Sequence, residues 1–208
     1  MTLTLYTARF DSVPIIGCSP PSWAVLLACH EKGIDFDHRQ LDFAGGEHKS
    51  PAFLAKNPKG TLPTLFDGDR LLTDTLAMLQ CVQRQPGPTL LGETQEQRAH
   101  GMKQLRRACD LKEAGMQLLS AHMKGEATHE PLGLYLKCLE HLCDARSGRG
   151  YFAPACEPAQ RPGLADLLAY PYLATSEHLA LTELGPSLLG KWFEKMRQRA
   201  SVRATEPA

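Results

Sequence analysis

The sequence predicts a small α/β domain followed by an all-helical domain, an α/β plus all-α chain, and three observations carry that prediction. Strand-like and helix-like periodicities alternate through the first 85 residues; Asp67-Gly68 separates two short apolar runs; and strand signals vanish beyond the Pro/Gly-rich stretch "PGPTLLGE" at 86–93. The pattern places the first domain at 1–85, a linker at 86–93 and the helical domain at 94–208.

Within the first domain, "LTLYTA" (3–8) alternates as a strand does, and 22–32 carries apolar residues at helical spacing until Gly33 stops it. Residues 36–43 read as a second strand. The stretch 50–58 opens on Ser50-Pro51, an N-cap followed by a first-turn proline, and stops at Asn57-Pro58-Lys59-Gly60. Strands at 62–66 and 69–72 flank the Asp-Gly hairpin signal. A helix over 74–85 follows, opened by Asp74. Beyond the linker, helical periodicity covers 94–124, 131–146, 164–180 and 187–200, with a turn-rich segment at 147–163.

Composition narrows the function. Lys plus Arg and Asp plus Glu both number 23, so the charge is balanced and no basic stripe offers nucleic acid an electrostatic footprint. The apolar runs fall short of a membrane span, and the start lacks the basic-then-apolar pattern of a secretory signal. No nucleic-acid or membrane partner is expected. Seven cysteines, at 18, 29, 81, 109, 138, 143 and 156, include no CxxC pair, which points to unpaired thiols in a reducing compartment and to no metal.

Four places carry chemistry. Ser19 stands just before the first helix, where a hydroxyl donates to an anion or caps the helix. Cys18 beside it is either a thiol of lowered pKa or an inert one. Ser22 is the residue placed to cap that helix, and Trp23 belongs to the core. Pro63, preceded by Leu62, marks a strand start or a turn. Asp74 and Thr75 open a helix, where they cap its amides or hold the charged end of a ligand.

Ser19, Leu62-Pro63, Asp74-Thr75 and the helical region behind them resemble, in that order, the cytosolic glutathione transferase superfamily over nearly the whole chain. The start is similar to the zeta class, which includes maleylacetoacetate isomerase: Ser19-Pro20-Pro21-Ser22-Trp23-Ala24-Val25 and Lys32-Gly33-Ile34-Asp35-Phe36 fall on that class's motif. "NPKGTLPTL" resembles the loop before the family's cis-proline, "LLTDTLAML" its γ-glutamyl-binding segment, "GLADLLAYPYL" its helix-capping motif and "WFEKMRQRASVRATEP" its closing helix and tail.

The resemblance implies a thioredoxin-like first domain, a substrate pocket contributed by the helical domain, and glutathione as cofactor. It makes Ser19 the donor to the glutathione thiolate, Leu62 the backbone partner of the cysteinyl moiety ahead of cis-Pro63, and Asp74 and Thr75 the ligands of the γ-glutamyl group. A cytoplasmic homodimer acting on a small electrophile is the implied whole.

Three departures qualify it. The segment between the first strand and Ser19 is longer than in the zeta pattern. Pro20-Pro21 and Ala24 replace residues of the isomerase motif. Gly163 stands where the capping box has Ser or Thr, leaving half of the reciprocal cap to Asp166. Four readings remain open: a transferase using Ser19, an isomerase, a thiol transferase or reductase using Cys18, and a non-catalytic binding relative.

Overall fold

In the computed structural model, the structure describes residues 2–9, 19–143, 150–152, 161–183 and 187–206. The backbone divides into two compact units, Met1–Pro88 with Ala204–Ala208, and Thr89–Arg203.

The first unit holds a four-stranded sheet in the order β2-β1-β3-β4. Its strands are β1 (Leu3–Ala8), β2 (Phe36–Leu41), β3 (Thr64–Asp67) and β4 (Arg70–Leu72), and its helices are α1 (Pro20–Lys32), α2 (Pro51–Leu54) and α3 (Thr75–Arg84). β1 runs parallel to β2 and antiparallel to β3, with β4 antiparallel to β3. Side chains alternate across a strand. Tyr6 therefore meets Phe53 of α2, Leu41 and Phe66 on one face, whereas Leu3, Leu5 and Leu65 are buried on the other. α1 lies on that second face. Its Leu26 and His30 share a cleft of about 220 Å³ with His38 and Gln40 of β2 and with Ala204 and Thr205, and α1 packs against α3.

Several boundaries move from the sequence reading. α1 begins at Pro20, two residues earlier than periodicity suggests, because Pro20 and Pro21 occupy its first turn, where a missing N–H costs nothing. The stretch after Ser50 is a single turn, Pro51–Leu54, capped by the Ser50 hydroxyl, which accepts from Phe53 N at 3.2 Å. β2 ends at Leu41 rather than 43. The hairpin turns at Gly68-Asp69, one residue later than expected. Asp67 still pairs with Arg70, and Gly68 takes the positive φ (59°) that a two-residue turn with glycine first demands.

The second unit is helical: α4 (Gln95–Lys124), α5 (His129–Cys143), α6 (Leu164–His178) and α7 (Leu188–Arg197). A short α8 (Ala200–Thr205), which periodicity did not reveal, crosses the boundary between the units. Thr94 and Gln97 close a capping box at the start of α4, and α4 packs against α5 and α6. At the start of α6 only the half-cap forms. Gly163 has no hydroxyl to give, but Asp166 Oδ2 accepts from Gly163 N at 3.0 Å. Asp166 Oδ1 also accepts from Phe152 N (2.8 Å) and Trp192 Nε1 (2.7 Å), so one fully buried carboxylate ties three segments together.

Candidate functional site

Register gathers the candidate residues at one end of the sheet. Thr64 pairs with Tyr6 and Leu72 with Leu65, so Leu62-Pro63 and Thr73-Asp74 both stand where β1 finishes. α1 connects the parallel strands β1 and β2, and such a crossover starts at the end where its first strand stops. Ser19, the N-cap residue of α1, is accordingly at the same end.

Ser19 has the extended backbone of an N-cap (φ −64°, ψ 137°), and its carbonyl accepts from Trp23 N at 3.0 Å. Its hydroxyl caps no amide. It stands 2.8 Å from Ser22 Oγ instead. The sequence expectation that Ser22 caps the helix is thus corrected: Ser22 lies inside the first turn and is fully buried, because the two prolines advance the helix start to Pro20. Cys18 lies outside the described residues.

Leu62-Pro63 is a cis peptide. The loop around it is built on Asn57, a buried residue that the sequence reading passed over. Asn57 Nδ2 donates to Thr61 O (3.1 Å) and Thr64 Oγ1 (2.9 Å), its Oδ1 accepts from Lys59 N (3.1 Å), and Thr64 Oγ1 donates to Thr61 O (2.7 Å). Both sides of the cis bond are thereby pinned. The Leu62 N–H and C=O make no hydrogen bond among the described residues. Gly60 (φ 54°) closes the turn with its α-carbon packed against the His48 carbonyl, so close that a Cβ would stand 2.8 Å from it.

Asp74 caps α3, accepting from Ala77 N at 2.9 Å through Oδ1. It remains exposed, and Thr75 is buried within the same first turn. The capping reading of Asp74 therefore holds, and it leaves the second carboxylate oxygen open to another partner. Two ammonium groups that sequence patterning did not single out accompany this end. Lys59 Nζ donates to Thr73 Oγ1 (3.3 Å), and Lys49 Nζ donates to the Lys59 carbonyl (3.2 Å). Only tertiary folding brings the Lys59 ammonium to Thr73, next in sequence to Asp74, and the Lys49 ammonium to the Lys59 carbonyl. Beside Lys49, His48 stacks on Phe43 at 4.3 Å, and burial, then the Lys49 charge, hold its pKa below the usual imidazole value.

Two thiols are disqualified as nucleophiles by their surroundings. Burial, reinforced by Cys81, pushes Cys29 up to about 12. Cys81 is raised by burial and by Asp67, whose carboxylate is 3.6 Å from its sulfur. Both behave as packing residues. No helix of the described residues is long and apolar enough to cross a membrane.

Residues 18–85 match the family model described as glutathione S-transferase, N-terminal domain. Glutathione S-transferase 1 of Dianthus caryophyllus is 38% identical over 79 residues, a match covering 38% of this chain and 36% of that protein. Glutathione S-transferase A of Pleuronectes platessa is 25% identical over 203 residues, covering 91% of this chain and 88% of its own. The chain thus spans about a third of the plant relative that it matches and most of the fish one. A solved glutathione S-transferase from the Antarctic clam Laternula elliptica shares the fold over the whole chain, with a TM-score of 0.80 at 23% identity and 93% of that chain covered. Residues 18–85 thus match a glutathione S-transferase N-terminal domain, and the chain as a whole shares the fold of solved glutathione S-transferases.

Proposed function

We propose that this chain is a glutathione-dependent transferase acting on a small, partly apolar electrophile, with Ser19 as the residue that stabilises the glutathione thiolate. The observation that carries the reading is the Ser19 hydroxyl, placed at a helix start yet not spent on capping it. The remaining residues fit a zwitterionic tripeptide. The unpaired Leu62 N–H and C=O match the backbone amide of its cysteinyl residue. Asp74 offers a carboxylate to the γ-glutamyl ammonium, Thr75 and the α3 amino terminus receive the neighbouring carboxylate, and Lys49 and Lys59 add positive charge for a carboxylate end.

Glutathione supplies a thiol that attacks an electrophilic carbon once it is ionised. The protein's part is to hold the thiolate form. A hydroxyl donor aimed at the sulfur favours the anion over the thiol, lowers the pKa and releases the proton to solvent before the electrophile arrives. Backbone pairing at Leu62 would hold the cysteinyl residue of glutathione, and orienting the nucleophile in this way would draw on binding at the peptide ends to lower the barrier.

Substrate contacts from the helical unit, a homodimer and a cytosolic location belong to the same reading. Light scattering in solution tests the dimer. The activity is tested by conjugation of glutathione to an activated nitroaryl chloride. Ser19→Ala is expected to lower kcat by about 10²-fold or more with little change in KM, as loss of an anion-stabilising donor does. Asp74→Ala is expected to act mainly on KM for glutathione. A Ser19→Ala variant as fast as wild type overturns the proposal.

A further inference from the structure

We propose that His30, His38 and Gln40 form a binding site for a divalent late first-row metal ion such as zinc, in the cleft that α1 and β2 share. The site is independent of the glutathione reading: Ser19, Leu62, Pro63, Asp74 and Thr75 are not among the residues that line this cleft.

The fold brings the three side chains to one place. Residues two apart on a strand share a face, and so do residues four apart on a helix. His38 and Gln40 therefore project together from β2, and Leu26 and His30 together from α1. They line a cleft of about 220 Å³ whose remaining wall is Ala204 and Thr205. Both imidazoles also lie against Phe36 of β2, with ring centroids 5.9 Å (His30) and 6.1 Å (His38) from its own. β2 is an edge strand of the sheet, and His30, His38 and Gln40 are all exposed, so an ion reaches them from solvent. Spacing along the sequence does not reveal the pair, because a helix and a strand contribute one histidine each.

Hydrogen bonding leaves the donor atoms available. Thr7 Oγ1 donates to the Ala8 carbonyl at 3.3 Å and stands 2.9 Å from His38 Nε2. Thr7 is fully buried. A hydroxyl carries one proton, and a carbonyl only accepts. His38 Nε2–H is therefore the donor to Thr7, and the ring keeps its lone pair on Nδ1. An imidazole oriented by a fixed oxygen on its second nitrogen is the arrangement that metal-ligating histidines use. The His30 ring nitrogens and the Gln40 carboxamide make no hydrogen bond among the described residues. Two imidazole nitrogens select a late first-row ion over magnesium or calcium, which prefer oxygen. Among the described residues no group of three or more His, Cys, Asp or Glu side chains is placed to hold a metal. The Gln40 amide oxygen and water therefore complete the coordination, and the ion is exchangeable rather than structural.

The test is titration of the full chain with zinc chloride in the absence of glutathione, which would itself bind the ion. Imidazole resonances in two-dimensional nitrogen–proton spectra locate the ion, and calorimetry gives its affinity, for wild type, His30→Ala and His38→Ala. In wild type the ring signals of two histidines are expected to shift in step, the same two that the variants remove. Each variant is expected to lower the zinc affinity by more than about tenfold, since even an outer partner of a metal ligand is worth that much. Both positions are exposed, so the substitutions leave the core intact. Ring signals of His30 and His38 that stay in place at saturating zinc overturn the proposal. So does a zinc affinity unchanged in either variant, which assigns the ion to other groups, the cysteine thiols first among them.

Discussion

The indole of Trp23, in the first helix, donates from Nε1 to the hydroxyl of Thr205, 182 residues later in the chain, at 2.9 Å. Both residues are buried, at 1% and 4% exposure. Thr205 is thus tied to the helix that presents Ser19 through an indole donor sealed from water. Replacing Thr205 by Val keeps the shape and removes that acceptor, for a loss of about 1–3 kcal/mol. Ser at the same position restores most of it. Urea unfolding midpoints of the three proteins make the comparison, and a Val variant as stable as wild type contradicts it.

Asp166 is the second dependency. Its two oxygens accept from Phe152, Gly163 and Trp192 among the described residues. Asp166→Ala orphans all three, and the expected loss is more than about 3 kcal/mol, enough to threaten folding of the helical unit. Asp166→Asn keeps the oxygen shared by Phe152 and Trp192, so it is expected to fall between alanine and wild type in thermal unfolding. An order reversed between the two variants refutes the assignment.

Gly115 tests packing. A Cβ there would stand 2.7 Å from Tyr172 Cδ1 and 3.2 Å from Tyr135 Cε2, two rings with almost no exposure. Alanine gains about 1 kcal/mol in helix propensity over glycine, whereas overpacking a tight core costs roughly 1–3 kcal/mol. Because neither ring has free space, the net sign is destabilising, seen as a lowered Tm for Gly115→Ala. A raised Tm would mean that α4 and α6 yield more easily than their contact suggests.

Cys29 gives a prediction in pH. Its thiol is raised from 9.0 to about 12 in the folded protein. The folded state therefore holds this proton more tightly than the unfolded chain does. That contribution is intact below about 9 and is lost as pH climbs toward 12. Cys29→Ala is expected to have a shallower alkaline loss of stability. With a disulfide reagent at pH 8, wild type and Cys29→Ala are expected to give the same thiol count when native and counts differing by one when unfolded. A native difference shows that Cys29 is accessible.

Local pattern made much of this fold legible. The alternation of 3–8, the Ser50-Pro51 start and Asp74 at a helix opening are signals confined to a few neighbouring residues, and each of these elements begins where it was read. What escaped depends on partners distant in sequence. Asn57 reads as a turn residue, and only the folded loop shows it holding both sides of Leu62-Pro63. Asp166 reads as half a helix cap, while its bond to Trp192 spans 26 residues. Lys59 and Lys49 are ordinary surface lysines until folding brings the first to Thr73 and the second to the Lys59 carbonyl. At the site itself, "SPPSW" was legible as a helix start, but periodicity begins only at Ser22. The first-turn role of the two prolines, and with it the exchange of capping positions between Ser19 and Ser22, followed from geometry.

The most direct measurement is the ultraviolet difference spectrum of glutathione bound at neutral pH to wild type and to Ser19→Ala, read at the thiolate absorbance. A thiolate band is expected with wild type and is expected to be largely absent with Ser19→Ala, at comparable occupancy. Equal bands in the two proteins, or binding without any thiolate in wild type, would contradict the assignment of Ser19.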